Sequence, residues 1–365
     1  MKEKINFRQL SVIVFYLLVS LKFLALPSLI YSEAKTDSWI VFLLMAIFDV
    51  ALIWIILYLM KSSNEKSFYD FLKHRFGVVI TKIFCICFFA IFMLDILDAI
   101  TGIDRLLVES FYDRLDWFIF IIPLLIVTSF MAYRGIRNIG RVCEIFVWFI
   151  IFGIIFIIVK SLPEFDITFF LPFLSEGVEP VFSGLINHIP WFGTPVALLF
   201  FMGEVDFKNE KKSLLWRYIL IAVFEVLIFV IVFYGIFATS SPTHSFALAD
   251  LSQISNTAVA IDELSWLAVA IWVIGQILQL VVFIYACAVA IKYVFNISNN
   301  WTPIFIIDML IITYIIVDYE TINLEKIFYS PFVVMCEWVV KLGVTAILII
   351  ANIIYLKRRK RSEKT

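Results

Sequence analysis

The chain has 365 residues, 63% of them hydrophobic and only 16% charged, with a formal net charge of -1 and a mean hydropathy of +1.01. Soluble globular chains are about half apolar and about a quarter charged, so this composition excludes a soluble domain and points to an integral membrane protein. No nucleotide loop, catalytic triad or metal-ligand spacing stands out, so the reading is a non-enzyme with no cofactor and no nucleic-acid partner.

Ten apolar segments have the length needed to cross the hydrocarbon core, roughly 20 residues as a helix. They are 10–31, 38–60, 79–101, 117–133, 142–160, 181–202, 214–238, 264–293, 301–317 and 332–356. The first carries Lys22 near its centre and Pro27 five residues on. A central lysine costs about 2.5–3.5 kcal/mol on insertion scales, and an internal proline removes a backbone hydrogen bond. Lipid offers the freed groups no partner. Segment one is therefore expected as a broken helix lining a polar site, with Ser20, Lys22 and Ala25 as candidate ligand-binding residues. It is too long for a signal-peptide core and lacks a small-residue cleavage site, so it is expected to stay in the protein.

Segment two carries Asp49, read as a bundle contact. Between segments two and three, Ser67–Phe76 is expected to lie along the membrane. Segment three carries Asp95 and Asp98, three apart and so on one helix face. Either is a candidate partner for Lys22. A structural ion pair and a ligand or ion site are both open, and both aspartates are candidate site residues. Segments three and eight run long, which implies tilt. The five cysteines, Cys85, Cys87, Cys143, Cys287 and Cys336, lie in or beside apolar runs and read as packing residues.

Segment six contains Ile189-Pro190-Trp191-Phe192-Gly193-Thr194-Pro195, two prolines and a glycine in mid-span. Trp191, Phe192, Gly193 and Thr194 are candidate site residues. The two aromatic rings either stack on a ligand, including by cation–π contact, or pack in the bundle. His188, just before the break, is a packing residue or a proton sensor. Glu225 in segment seven reads as a bundle contact. The stretch 241–262 reads as an amphipathic surface helix. In segment eight, Gln276 and Gln279 share a face and either line the site or join helices by hydrogen bonds. In segment ten, Glu337 and Lys341 have the order and spacing of an intrahelical ion pair. The basic tail, 357–365, is expected at anionic lipid.

Basic residues set the orientation. With both termini in the cytoplasm, the outside connections carry only Lys35, Arg105, Arg114, Lys160 and Lys326, and most other lysines and arginines lie inside. Ten spans divide into five and five, about 10–160 and 181–356, in a single membrane domain covering 1–365. An odd number per half inverts the second copy. Breaks at matching places in segments one and six fit that architecture, in which a solute site lies at the midplane between discontinuous helices. The expected fold is thus an all-α polytopic membrane protein, a 5+5 inverted repeat with broken helices 1 and 6.

Several stretches resemble the endospore germination permease family, the B-type subunits of nutrient germinant receptors. They are Ile5-Asn6-Phe7-Arg8-Gln9-Leu10, Leu24-Ala25-Leu26-Pro27, Ala132-Tyr133-Arg134-Gly135 with Arg141 and Glu144, Phe170-Leu171-Pro172-Phe173-Leu174 with Gly177, Pro180 and Gly184, and Trp272 to Ala288. The resemblance implies the amino acid–polyamine–organocation superfamily and a spore inner membrane or cell membrane location. It also implies recognition of a nutrient such as an amino acid, with A- and C-type receptor subunits as partners. Three departures stand out. Ser20-Leu21-Lys22 replaces the glycines usual in the first break, Thr194-Pro195 follows Gly193 where an acidic residue is often found, and Asp262-Glu263 stands where a basic–acidic pair is usual. A proton- or sodium-coupled amino acid transporter and an ion or water conduit are the alternative functions.

Overall fold

A computed structural model describes residues 4–63, 66–111, 118–207, 210–254, 264–320, 327 and 329–362. The described chain is all helical apart from one isolated bridge, Ile5 to Val205. Six of its helices are long and apolar enough to cross a membrane: Leu26–Ser62, Phe68–Leu107, Ile136–Glu164, Lys212–Thr243, Trp266–Phe295 and Pro331–Lys357. Shorter apolar helices cover Phe7–Val19, Phe118–Tyr133 and Trp301–Val317. These elements make the protein an integral membrane protein. The pair Asp262-Glu263 lies outside the described residues, as do the side chains of the basic tail beyond Lys357.

The first helix, α1 (Phe7–Val19), starts on a capping box in which the Asn6 side chain accepts from Gln9 N and Gln9 answers back. Every residue of α1 except Arg8 is buried. A short 3-10 turn, Ser20–Phe23, follows, and then α2 (Leu26–Ala34), which has Pro27 in its first turn. Proline is tolerated there because that N–H has no intrahelical partner. Pro27 therefore starts the second half of a broken helix instead of kinking a continuous one.

Next come α3 (Ser38–Ser62) and α4 (Phe68–Phe111), the latter interrupted at Gly77, φ 79°. That left-handed residue sets 68–76 off as a separate helical piece, which buries Phe68, Phe71 and Leu72 in the protein. The two helices α5 (Phe118–Tyr133) and α6 (Ile136–Ser161) are joined through Gly135, also at positive φ. Segment six is a helix, α7 (Glu179–Asn187), then a 3-10 turn at Ile189–Trp191, then a 3-10 stretch at Thr194–Phe201. Beyond it run α8 (Lys212–Phe237), α9 (Ala247–Gln253), α10 (Leu264–Phe295) and α11 (Trp301–Glu320). The last segment is α12 (Pro331–Trp338), a π-helical turn at Val339–Val344, and α13 (Thr345–Ser362).

Two elements hold the centre: α1 packs on α8 and α6, and α10 packs on α4, α6 and α5. Bulky residues such as Val79, Ile126, Ile145 and Phe152 point outward and are exposed, as a lipid-facing surface requires. The expected surface helix in 241–262 is corrected. Its described part, α9, buries Ala247, Leu248, Ala249, Leu251 and Ser252, and Ala247 N donates to Leu24 O at 3.2 Å. Its apolar face is covered by α10 and α6, and Lys160 and Ser161 of α6 donate to its Ser252 and Leu251 carbonyls, so it docks on the bundle instead of lying on the membrane.

Candidate functional site

The two broken segments cross where their backbones are irregular. Phe192 is extended and Gly193 adopts the left-handed conformation, φ 72°. A Cβ on Gly193 would stand 3.0 Å from Lys341 Cδ, so both its conformation and its surroundings require glycine. Gly193 N donates to Asp49 Oδ1 at 2.8 Å, and Lys22 Nζ donates to Asp49 Oδ2 at 2.7 Å. Lys22 also sits 4.4 Å from the centre of the Phe192 ring. Lys22 and Asp49 are 4% and 0% exposed, so the pair is fully desolvated.

This corrects the expected pairing of Lys22 with Asp95 or Asp98. Asp95 is claimed by Lys341, at 3.1 Å, and Lys341 also meets Glu337 at 2.6 Å, the expected four-residue pair. Asp98 accepts from the Tyr329 hydroxyl at 2.6 Å. Asp49, read from the sequence as a bundle contact, is one, and the helices it joins are the two broken ones. Glu225, given the same reading, has no hydrogen-bond partner for either carboxylate oxygen among the described residues.

The carbonyls around the breaks are taken by the protein's own donors. Thr194 Oγ1 donates to Leu17 O at 2.6 Å, Gln276 Nε2 to Ser20 O at 2.5 Å, the Tyr234 hydroxyl to Pro27 O at 2.7 Å, and Lys341 Nζ to Pro190 O at 2.8 Å. Gln276 therefore ties α10 to the first break. The Gln279 amide and Ser20 Oγ are buried nearby with no hydrogen-bond partner among the described residues. His188 is buried, with Nδ1 3.0 Å from Gly184 O and 3.9 Å from Glu33.

A cavity of about 300 Å3 lies beside the second half of segment one, on the side capped by residues 242–246. Its walls include Ala25, Asp98, Arg105, Trp191, Trp272 and Tyr329. Three residues singled out in the sequence therefore line it: Ala25, Asp98 and Trp191. Asp95 lines a much smaller cavity adjoining Asp98, Trp191 and Tyr329. Ser20, Lys22, Phe192, Gly193, Thr194, Gln276 and Gln279 line neither. Trp272 and Tyr329 were missed as site residues. Trp272 carried a usable signal, one helical turn before Gln276 on the same face. Tyr329 lies just before the last helix and carried none. The Trp191 and Tyr329 rings are parallel within 7° at 6.2 Å, and the indole N–H groups of Trp191 and Trp272 are buried without a partner among the described residues.

A family model described as spore germination protein matches residues 4–324. Spore germination protein XB of Bacillus anthracis is 21% identical over 286 residues, 77% of this chain and 79% of its own length. Spore germination protein A2 of Bacillus subtilis (strain 168) is 22% identical over 292 residues, 78% of each chain. Among solved structures, a Na+-coupled sialic acid symporter in a substrate-bound outward-open state superposes with a TM-score of 0.63 at 13% identity, covering 92% of this chain and 77% of its own. The Eremococcus coleocola manganese transporter, in complex with an aromatic bis-isothiourea substituted compound, gives 0.62 at 10% identity, covering 94% and 78%. At such identities the likeness to the transporters is one of fold alone. The family match spans most of the chain, and this membrane protein belongs to the spore germination permease family.

Proposed function

We propose that the chain is a nutrient-sensing subunit of a spore germinant receptor, built on an amino-acid-permease scaffold of ten spans in two inverted halves. Both termini face the cytoplasm, the cavity faces outward, and A- and C-type subunits receive the conformational signal. The role is binding and not catalysis. The nutrient, an amino acid in the simplest case, occupies the cavity beside the first break. A ligand can shift the protein between two states only by its differential affinity for them. The cavity walls belong to α2, α4, segment six and α10, which a change of state would move against one another.

One observation carries this reading over transport: four carbonyls at and around the breaks, those of Leu17, Ser20, Pro27 and Pro190, accept from the chain's own side chains. In transporters of this fold unwound carbonyls hold the coupling ion, whereas each of these four already accepts a donor from the chain itself. The transporter fold itself favours the second reading, a proton- or sodium-coupled amino acid transporter. Vesicles containing this chain alone, offered a labelled amino-acid panel, separate the two. Saturable binding without accumulation is expected. Accumulation against a gradient would replace the sensor by the transporter.

A further inference from the structure

A groove of about 210 Å3 lies where the end of α3 meets the start of α8. Leu57 and Leu215 give it an apolar lining, together with the rings of Trp54 and Trp216, whose centres are 5.4 Å apart. Tyr58, Lys61, Glu210 and Lys212 supply its polar groups. Lys61 stands in the last turn of α3 and Lys212 is the first residue of α8, so the groove lies at a membrane boundary. Tryptophan and tyrosine are favoured at that level.

The polar groups of the groove are unbalanced. Glu210 is its one carboxylate among the described residues, and Lys61 takes it. The Lys212 ammonium, the Tyr58 hydroxyl and the indole N–H groups of Trp54 and Trp216 have no hydrogen-bond or ion-pair partner among the described residues. Four donors thus line one apolar groove, and Lys61 and Glu210 cancel to leave one positive charge. Trp54 and Tyr58 are 41% and 46% exposed, so what meets them comes from outside the chain.

Donors without acceptors call for a ligand rich in acceptor oxygens, and the apolar lining calls for a hydrocarbon chain. A soluble anion meets only the first demand and a neutral lipid tail only the second. An amphiphile with a phosphodiester meets both, and the uncancelled lysine favours a headgroup of net negative charge. We infer that this groove binds one anionic phospholipid, its acyl chain against Leu57, Leu215 and the two indoles, and its phosphodiester accepting from Lys212 and Tyr58. The site is separate from the outer cavity and from the basic tail, and its lipid would bridge α3 and α8.

The test is photolabelling of the full chain in phosphatidylcholine nanodiscs containing a little photoactivatable phosphatidylglycerol, with the labelled peptides mapped by mass spectrometry. Peptides covering 54–58 and 212–216 are expected to be labelled at least about fivefold more than 145–152, a stretch of α6 whose Ile145, Trp148 and Phe152 are exposed on the outer surface of the bundle. Lys212→Gln, an exposed position whose fold is checked by thermal unfolding, is expected to lower the groove labelling about fivefold, equivalent to about 1 kcal/mol for one lysine at a membrane surface. Labelling of 145–152 is expected to stay the same. Tyr58→Phe is expected to lower the groove labelling in the same direction, and excess inorganic phosphate is expected not to compete. Groove labelling no stronger than that of 145–152, equal labelling by a photoactivatable phosphatidylcholine, or unchanged labelling in Lys212→Gln overturns the inference. Competition by inorganic phosphate overturns it in favour of a soluble anion.

Discussion

Lys341, from the π-helical turn of the last segment, donates to the carbonyl of Pro190 in the break of segment six at 2.8 Å. The same ammonium holds Asp95 of α4 and Glu337 one turn back. One side chain thus ties three elements and answers two buried carboxylates. Removing one partner of a buried ion pair strands the other and costs about 3–5 kcal/mol. Lys341→Met is therefore expected to lower the thermal unfolding temperature of the purified protein sharply. Adding Asp95→Asn and Glu337→Gln to Lys341→Met is expected to recover most of the loss, since no buried charge is then left unpaired.

The second lysine behaves as a separate unit. Asp49 bonds both Lys22 Nζ and Gly193 N, so Asp49→Ala removes the partner of a buried cation and a tie between the breaks in one step. The expected loss is about 3–5 kcal/mol. Lys22→Met on the same background is expected to restore part of it, leaving the unpaired Gly193 N–H as the residue of the damage, about 1–3 kcal/mol. A double-mutant cycle by thermal unfolding measures the coupling. Additive losses would show that the Lys22–Asp49 contact contributes nothing.

The breaks were legible in the sequence because proline, glycine and an intramembrane lysine have local consequences that do not depend on the neighbours. The partners were not legible, because pairing depends on which spans touch. Charge alone offers Asp95 and Asp98 to Lys22, and a lone Asp49 reads as a bundle contact with no partner named; the hydrogen-bond geometry alone supplies its partners, Lys22 and Gly193. The intrahelical pair Glu337–Lys341 was readable, being fixed by helix geometry. What Lys341 does across the bundle, reaching Asp95 and Pro190, was not. Trp272 and Tyr329 escaped notice because aromatic residues are 17% of this chain, so that another ring carries little information until a cavity gives it a place. The burial of α9 was hidden for a similar reason: a short amphipathic stretch reads alike whether lipid or protein covers it.

The connection from Ala238 to Gln253 behaves as a strap over the first break. Ser28 Oγ donates to the His244 carbonyl, Ala247 N to Leu24 O, and His244 Nδ1 lies 3.3 Å from Asp250 Oδ2. Burial pushes the Asp250 carboxyl above its usual range, against the opposing pull of His244. A carboxyl raised in the folded state binds its proton more tightly there than in the open strap. Its contribution is therefore fully present at low pH and is lost as pH rises from the ordinary carboxylate range, about 4, through the raised value. Amide exchange over 247–253, corrected for the intrinsic rate, is expected to show more opening as pH rises across that window. Asp250→Asn is expected to flatten the dependence. A wild-type profile with no slope would remove Asp250 from the control of the strap.

Thr194 joins the start of the second half of segment six to the end of the first half of segment one, its hydroxyl donating to Leu17 O at 2.6 Å. Thr194 is 1% exposed, so no water from bulk replaces a lost bond. Thr194→Val keeps the volume and the branched shape but leaves the Leu17 carbonyl with one donor fewer in a buried site, an expected loss of about 1–3 kcal/mol. Thr194→Ser retains the hydroxyl, removes only a methyl group, and is expected to lose about 1 kcal/mol. Thermal unfolding of the three proteins in one detergent orders them as wild type, then Ser, then Val. Equal stability of the Ser and Val variants would mean that the methyl packing, and not the hydrogen bond, holds the two segments together.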